Sequence, residues 1–369
     1  MLIEHTTYLF RFNMESMMKR IILFCLLALP AYIINAADLV VAKEVTLDSK
    51  ALNHKRQLLV SLPDSYQESD KKYPVIYLLH GQWDMLPAVA TLDLISAKLP
   101  EFIVIGVQSK GLELKPIDGK STPFERFLSE EIVPFVNGKY RAADYRILSG
   151  HSNSGRFVLD YWLKDKGTFS EYYAFSPSLE DGYISNRIKS FKNSEIQQLA
   201  PVVMTMANEG EHMQNPFNEI KHRLEYLPNL SIAIKKFPEQ SHQSTKHPSL
   251  KFALETSFKG WEPTYEIKVG GLQGLKQHYK NLSSKFGFSV TPPANMLPRL
   301  VVYHVMSKDK NALNQVREHI KYAIKLSDEN TSSLFEISDH FINNGEVDVG
   351  KVILNETCKI VRKNKRCPL

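Results

Sequence analysis

The chain has 369 residues, of which 43% are hydrophobic and 23% are charged, and its formal net charge at pH 7 is +6. This composition is that of an ordinary globular protein and excludes an intrinsically disordered chain. The length accommodates one medium α/β domain and a smaller addition. The sequence has no basic stripe interleaved with aromatic residues, so nucleic acid is not expected as a partner.

The first 37 residues have the pattern of a secretory signal peptide. A basic pair precedes an apolar run over residues 21–34, and Ala36 and Ala37 supply the small residues of a cleavage site. We expect translation to start at Met17 or Met18 and the mature protein to be periplasmic or secreted. A retained N-terminal anchor is the alternative, although the run is shorter than the roughly 20 residues of a membrane span.

Residues 38–262 alternate between strand and helix patterns. Predicted strands lie at 45–52, 56–63, 73–81, 102–107, 172–177, 202–207 and 231–237, and predicted helices at 122–136 and near 215–227. The first two strands alternate as an antiparallel pair, whereas the later ones are continuous apolar runs, typical of strands buried on both faces. The pattern therefore predicts an α/β fold, with a mostly parallel sheet covered by helices on both faces.

Residues 263–369 lose the strand pattern and are predicted to form a small all-α domain. Helices are predicted at 313–326, 331–343 and 347–361. The last two form a hairpin whose large and small residues fit a tetratricopeptide-type unit, with a plain helical appendage as the alternative. This region carries no evident chemistry, so its candidate role is to pack or to bind a protein partner.

Cys358 and Cys367 are the two cysteines that follow the predicted signal peptide. An even pair in an exported chain predicts a disulfide, which would pin the C-terminal tail. Two free thiols are the alternative.

The most informative stretch is 145–163, where a short apolar strand leads through Gly-His-Ser-Asn-Ser-Gly into a helix pattern. A serine on such a sharp strand-to-helix turn is the geometry of a nucleophile, and the helix N-terminus behind it favours developing negative charge. Ser152 is therefore the predicted nucleophile. Ser154 stands where glycine is usual, which predicts strain if that position needs a positive φ. An ordinary turn with an incidental serine is the alternative.

A nucleophilic serine needs a base and an acid that orients the base, and both are expected downstream. His242 follows the last predicted core strand directly and is the candidate base, with His247 as a weaker alternative at the start of the next helix. Glu209 and Glu211 follow the preceding strand. Glu209 is preferred as the acid because it lies nearer the strand end, and a Ser–His pair without an acid stays open.

Two backbone N–H groups must hold the negatively charged oxygen of the tetrahedral intermediate. One is expected from Asn153, and the other from Gln82 or Trp83 in the loop after the strand at 73–81. His151, next to the nucleophile, is predicted to be structural.

Seven segments, in this order, resemble the putative esterase family, the esterase D-like branch of the α/β hydrolases that includes siderophore trilactone esterases. The segments are 49–56, 60–66, 73–81, 127–135, 146–152, 175–179 and 239–242. The resemblance implies an α/β-hydrolase fold over 38–262 and hydrolysis of carboxylic esters without a cofactor or metal. It also implies nucleophile status for Ser152 and base status for His242. His80 departs from the pattern, because siderophore esterases often have Asp there.

The sequence thus predicts an exported serine esterase that works through an acyl-enzyme on a small-molecule or siderophore-like ester. The alternative is a catalytically silent hydrolase-fold protein that binds a partner through its C-terminal helices. A peptidase is less favoured, because the segment 178–198 is short and polar and predicts no gating lid.

Overall fold

The computed structural model describes residues 40–117, 120–293, 296–307 and 312–367. The predicted signal peptide, with Met17, Met18 and its cleavage site, lies outside the described residues. Within the described ranges, no helix combines the length and the apolarity needed to cross a bilayer.

The centre of the fold is one eight-stranded sheet with the strand order β1-β2-β4-β3-β5-β6-β7-β8. The strands are β1 (Lys43–Ser49), β2 (His54–Ser61), β3 (Tyr73–Leu79), β4 (Ile103–Val107), β5 (Ala142–His151), β6 (Glu171–Phe175), β7 (Val202–Ala207) and β8 (Ile232–Phe237). β2 pairs antiparallel with β1 and β4, and all other neighbours are parallel. The mostly parallel α/β sheet expected from the sequence is confirmed.

Helices occupy the connections between strands and the whole C-terminal region. In the first part they are α1 (Gly81–Leu94), α2 (Pro123–Arg126), a π-helical turn (Phe127–Ile132), α3 (Val133–Lys139), α4 (Asn153–Trp162), α5 (Tyr183–Ser190), α6 (Asn193–Ile196), α7 (Glu211–Glu225) and α8 (Lys246–Ser257). In the second part they are α9 (Tyr265–Val269), α10 (Leu272–Phe286), α11 (Met296–Met306), α12 (Ala312–Leu326), α13 (Glu329–Asn343) and α14 (Val347–Ile360). Short 3-10 turns lie at Asp64–Tyr66 and Ser96–Lys98.

The apolar runs of the sequence form strands because both faces of the sheet are covered. Every residue of β3, β4, β6 and β7 is buried. Helices α2 to α7 cover one face, with Phe127, Trp162 and Phe217 among the buried side chains. Helices α1, α8 and α10 to α12 cover the other. This double burial is what allows a parallel sheet to be continuously apolar.

The C-terminal helices share a hydrophobic core with the sheet. The rings of Phe258 and Phe286 stack with centroids 4.9 Å apart, and Tyr145 of β5 meets Phe286 edge-on at 5.3 Å. A smaller core that includes Val301 and Ile353 holds the four helices α11, α12, α13 and α14 together. The described residues from Val41 onwards accordingly form one compact unit. The boundary at residue 262 and the tetratricopeptide-like hairpin stay predictions.

The predicted disulfide is present between Cys358 and Cys367. It links Cys358, in the last turn of α14, to a residue nine positions further along the tail. In the same tail Arg366 forms an ion pair with Asp339 of α13, and its guanidinium lies 5.0 Å from the ring centroid of Phe335. The disulfide and these two contacts hold the end of the chain against α13.

The turn from β3 into α1 requires glycine at position 81. Substitution of this glycine tests how tightly the turn is packed. A Cβ on Gly81 would lie 2.5 Å from the backbone carbon of Gly106 in β4, whereas one on Gly138, in α3, would meet nothing within 4 Å. We expect Gly81→Ala to lower the free energy of unfolding by about 1–3 kcal/mol, because packed backbone must move apart. Gly138→Ala should be neutral or slightly stabilising. Denaturant unfolding of both variants checks this, and equal stabilities would refute it.

We expect His319 to make the stability of the C-terminal helices depend on pH. Its fully buried ring donates from Nδ1 to the carbonyl of Gln315 at 2.7 Å. Burial, with the nearby charge of His304, lowers the pKa of His319 to about 4. The unfolded chain, with a pKa of about 6.5, therefore binds more protons between pH 6.5 and 4, so stability falls as pH falls through this window.

The size of this effect is bounded by the shift in pKa. The free energy of unfolding should fall less between pH 7 and pH 4 in His319→Gln than in wild type, by a difference of at most about 3 kcal/mol. The exposed His340 supplies the matched control His340→Gln. Denaturant melts at several pH values measure the slope, and an unchanged slope in His319→Gln would contradict the assignment.

Candidate active site

Ser152 lies on a strained turn between β5 and α4. Its backbone has φ 62° and ψ −124°, a conformation that residues with a side chain rarely adopt. Its N–H donates to the carbonyl of Phe175 at 3.0 Å, and its carbonyl accepts from the N–H of Ser178 at 3.1 Å. A Cβ on Gly150 would lie 2.5 Å from the Ser154 carbonyl oxygen, so the turn needs glycine there. These are the features of a nucleophile elbow.

Ser154 does not carry the strain considered for it, because that position does not need a positive φ. The positive φ falls at Ser152, and Ser154 lies in the first turn of α4. The buried Ser154 hydroxyl accepts from the N–H of His151 at 2.9 Å and donates to the His151 carbonyl at 2.8 Å. It also lies 3.3 Å from Nδ1 of His80. Serine therefore fits the turn and adds hydrogen bonds that glycine cannot make.

The loops after β7 and β8 bring the candidate acid and the candidate base together. His242 Nδ1 lies 2.6 Å from Oε1 of Glu209. The two loops are joined by the Asn208 N–H, which donates to the Gln240 carbonyl at 2.8 Å. Glu211 is instead the exposed first residue of α7. The structure thus pairs His242 with Glu209, the preferred carboxylate, whereas Glu211 belongs to the helix that follows.

The base lies beside the elbow. His151 Nε2 donates to the backbone carbonyl of His242 at 2.7 Å, and the two rings are 4.4 Å apart. Within the described residues, the Ser152 hydroxyl is hydrogen-bonded to Ser178 Oγ at 3.5 Å and not to His242. Catalytic hydrogen bonds in substrate-free enzymes are often long and shorten when substrate binds. His247 is directed elsewhere, with Nδ1 2.7 Å from the Thr91 hydroxyl.

Two helix N-termini supply the candidate oxyanion donors. The N–H groups of Trp83 and Asp84 both bond to the His80 carbonyl, whereas the N–H of Gln82 has no partner among the described residues. The Gln82 side chain is fixed by Ser109, donating to its carbonyl at 2.7 Å and accepting from its N–H at 3.3 Å. This favours Gln82 over Trp83 as the donor.

The Asn153 N–H, at the start of α4, is likewise unpaired within the described part of the chain. A Cβ on Gly111 would lie 3.5 Å from Asn153 Nδ2, so the loop that follows Ser109 reaches the elbow. The Gln82 and Asn153 turns are therefore neighbours. Neither Ser109 nor Ser178 carries a sequence signal, since single serines in loops are common and their contacts depend on the fold.

The histidines beneath the elbow are held neutral. Burial, with the nearby charge of Lys246, lowers the pKa of His80 to about 4. Burial, with the nearby charge of His242, lowers the pKa of His151 to about 3. Lys246 forms an ion pair with Asp84 at 2.6 Å. A cavity of about 20 Å³ is lined by Lys246, Asp84 and His151, among other residues. It has room for about one water molecule, so it is not a substrate pocket.

Among the described residues, no group of three or more His, Cys, Asp and Glu side chains is arranged to hold a metal ion. The nucleophile, base and acid candidates all lie at the carboxyl ends of β5, β7 and β8. This is the edge at which open α/β sheets bind their ligands.

A strained serine after a central parallel strand, followed by an acid and a histidine after later strands, defines the class of the α/β hydrolases. The sequence model of the putative esterase family matches residues 49–236, and the chain belongs to that family.

Three known proteins illustrate the relationship. The apo-salmochelin esterase of Escherichia coli O6:H1 is 30% identical over an alignment that covers 30% of this chain and 43% of that protein, less than half of its length. An IroE-like serine hydrolase from Shewanella oneidensis is 21% identical, with a TM-score of 0.60 over 75% of this chain and 98% of that one. The siderophore hydrolase EstB from Aspergillus nidulans is 18% identical, with a TM-score of 0.51 over 62% and 99%.

The two structural matches confirm the fold. The coverage by the Shewanella protein exceeds what residues 38–262 can supply, so the structural likeness extends into the helical region.

The two candidate acids give a direct test of the site. Glu209→Gln should lower kcat for ester hydrolysis by roughly 10² to 10⁴-fold, because a neutral amide neither fixes the tautomer of His242 nor stabilises its protonated form. Glu211→Gln, two residues away and exposed, should leave kcat within about threefold, as expected for a surface change. Steady-state kinetics on one ester compare them, and equal losses would remove Glu209 from its assigned role.

Proposed function

We propose that the protein is an exported serine esterase that hydrolyses carboxylic esters through an acyl-enzyme on Ser152. The observation that carries the proposal is the His242–Glu209 pair at 2.6 Å, held beside a serine in a strained elbow. A histidine that is oriented by a carboxylate and placed next to a serine is the arrangement that activates a hydroxyl.

In the first half of the reaction, His242 Nε2 takes the proton of the Ser152 hydroxyl as Oγ attacks the ester carbonyl carbon. The Glu209 carboxylate accepts from Nδ1–H, keeps the ring in the correct tautomer and stabilises the imidazolium. The N–H groups of Gln82 and Asn153 stabilise the oxyanion, aided by the helix N-termini to which they belong.

In the second half, the imidazolium of His242 gives its proton to the leaving alcohol, and the acyl group stays on Ser152. A water molecule then attacks the acyl carbon while His242 accepts its proton. Collapse of the second tetrahedral intermediate releases the carboxylic acid and returns the proton to Ser152. No cofactor enters either half.

The proposed substrates are small-molecule or siderophore-like esters. The support is that two similar proteins are described as an apo-salmochelin esterase and a siderophore hydrolase. The neutral His80 occupies the position at which siderophore esterases often have Asp, so other acyl esters belong in the same substrate panel. Export is supported by the disulfide between Cys358 and Cys367, because such bonds persist in oxidising compartments.

A fluorophosphonate probe tests the proposal, because it reacts covalently with activated serines. We expect the folded wild-type protein to take the label and Ser152→Ala to lose it together with at least about 10³-fold of kcat/KM on responsive esters. Ser178→Ala is the matched control, since its hydroxyl lies 3.5 Å from that of Ser152 and it should still be labelled. A wild-type protein that stays unlabelled while a known serine hydrolase reacts would support the catalytically silent alternative.

A further inference from the structure

The imidazole of His151 joins the elbow around Ser152 to the loop after β8 that carries His242, here called the base loop. Its Nε2 lies 2.7 Å from the His242 carbonyl oxygen, across 91 residues of sequence. A carbonyl can only accept, so Nε2 carries the proton and His151 is the donor. Among the described residues, this is the one hydrogen bond between the elbow, residues 150–155, and the base loop, residues 238–245.

His151 is itself held firmly. Only 4% of the residue is exposed, and its backbone N–H and carbonyl are both bonded to the Ser154 hydroxyl. Burial also keeps the ring neutral, with a pKa of about 3, so it has a single N–H to donate. Ser154, which replaces the usual glycine, thereby fixes the backbone that carries the connecting ring.

His242 has two restraints of different kinds. Glu209 holds Nδ1 at 2.6 Å and sets the rotation of the ring. The bond from His151 holds the backbone carbonyl and sets where the residue stands relative to Ser152. The first restraint acts on the side chain and the second on the main chain, so neither replaces the other.

We propose that His151 is a positioning residue of the esterase reaction, which fixes the distance between the base His242 and the nucleophile Ser152. The proposal rests on the proposed function. Misplacement of a catalytic group by about 1 Å costs up to roughly 10²-fold in rate. Loss of the His151 donor should therefore lower kcat and leave substrate affinity nearly unchanged, because only 4% of His151 is exposed and little of it can touch a substrate.

Two substitutions separate positioning from packing. His151→Leu keeps a similar volume without a donor, whereas His151→Gln keeps an amide N–H that reaches a similar point. We expect His151→Leu to lower kcat and the rate of fluorophosphonate labelling by about 10- to 100-fold with KM changed less than about threefold. His151→Gln should recover most of this loss. The proposal would be overturned if His151→Leu had the kcat of wild type. It would also be overturned if His151→Leu and His151→Gln, both folded, lost kcat equally.

A spectroscopic measurement tests the proposal independently of esterase activity. The Nδ1–H proton of His242, shared with Glu209 at 2.6 Å, should give a low-field proton NMR signal, assigned by its loss in His242→Gln. We expect the signal to shift or broaden in His151→Leu and to stay in place in His151→Gln. The same signal in wild type, His151→Leu and His151→Gln, or no such signal in wild type, would overturn the proposal.

The two sets of results distinguish the two ideas. A wild-type protein without labelling or ester hydrolysis contradicts the proposed function, while the NMR signal still decides whether His151 positions His242. Ester hydrolysis that depends on Ser152 but not on the donor at residue 151 contradicts the positioning role alone.

Discussion

The constraint on which the candidate site depends is the positive φ of Ser152. Holding a residue with a side chain in that region costs about 1–3 kcal/mol, so the surrounding structure must determine it. The N–H and the carbonyl of Ser152 are both hydrogen-bonded, to Phe175 and Ser178, and the residues two positions away on either side, Gly150 and Ser154, are small. The Ser152 hydroxyl is thus lifted out of the sheet by packing that cannot relax locally.

The backbone is fixed in the same way at Gln82, one of the two candidate oxyanion donors. Gly81 lets α1 begin against β4, where no side chain fits. The side chain of Gln82 then closes two hydrogen bonds with Ser109. Donor groups held in this way need no rearrangement when charge develops on a substrate, which is why preorganised backbone amides stabilise oxyanions so effectively.

Much of the fold could be predicted from the sequence, because buried parallel strands are continuous apolar runs. Helix α1 could not, since it contains Pro87 and its apolar residues lack helical periodicity. The choice between Glu209 and Glu211 rested on nearness to the strand end, and the structure shows that α7 begins at Glu211. The bond from His151 to His242 has no sequence signal, because it joins distant segments through the tertiary fold.

The shared core of sheet and C-terminal helices has a consequence for genetics. Tyr145, on the strand that ends at the elbow, packs against Phe286 of α10 in one shared core, so we expect the elbow strand and the helical region to unfold together. A destabilising substitution in α10 or α11, distant from the candidate site, therefore reduces the population of molecules with a formed elbow. Losses of about 1–2 kcal/mol change protein abundance several-fold in cells. Variants in the helical region will thus register as loss of function although they touch no reacting group.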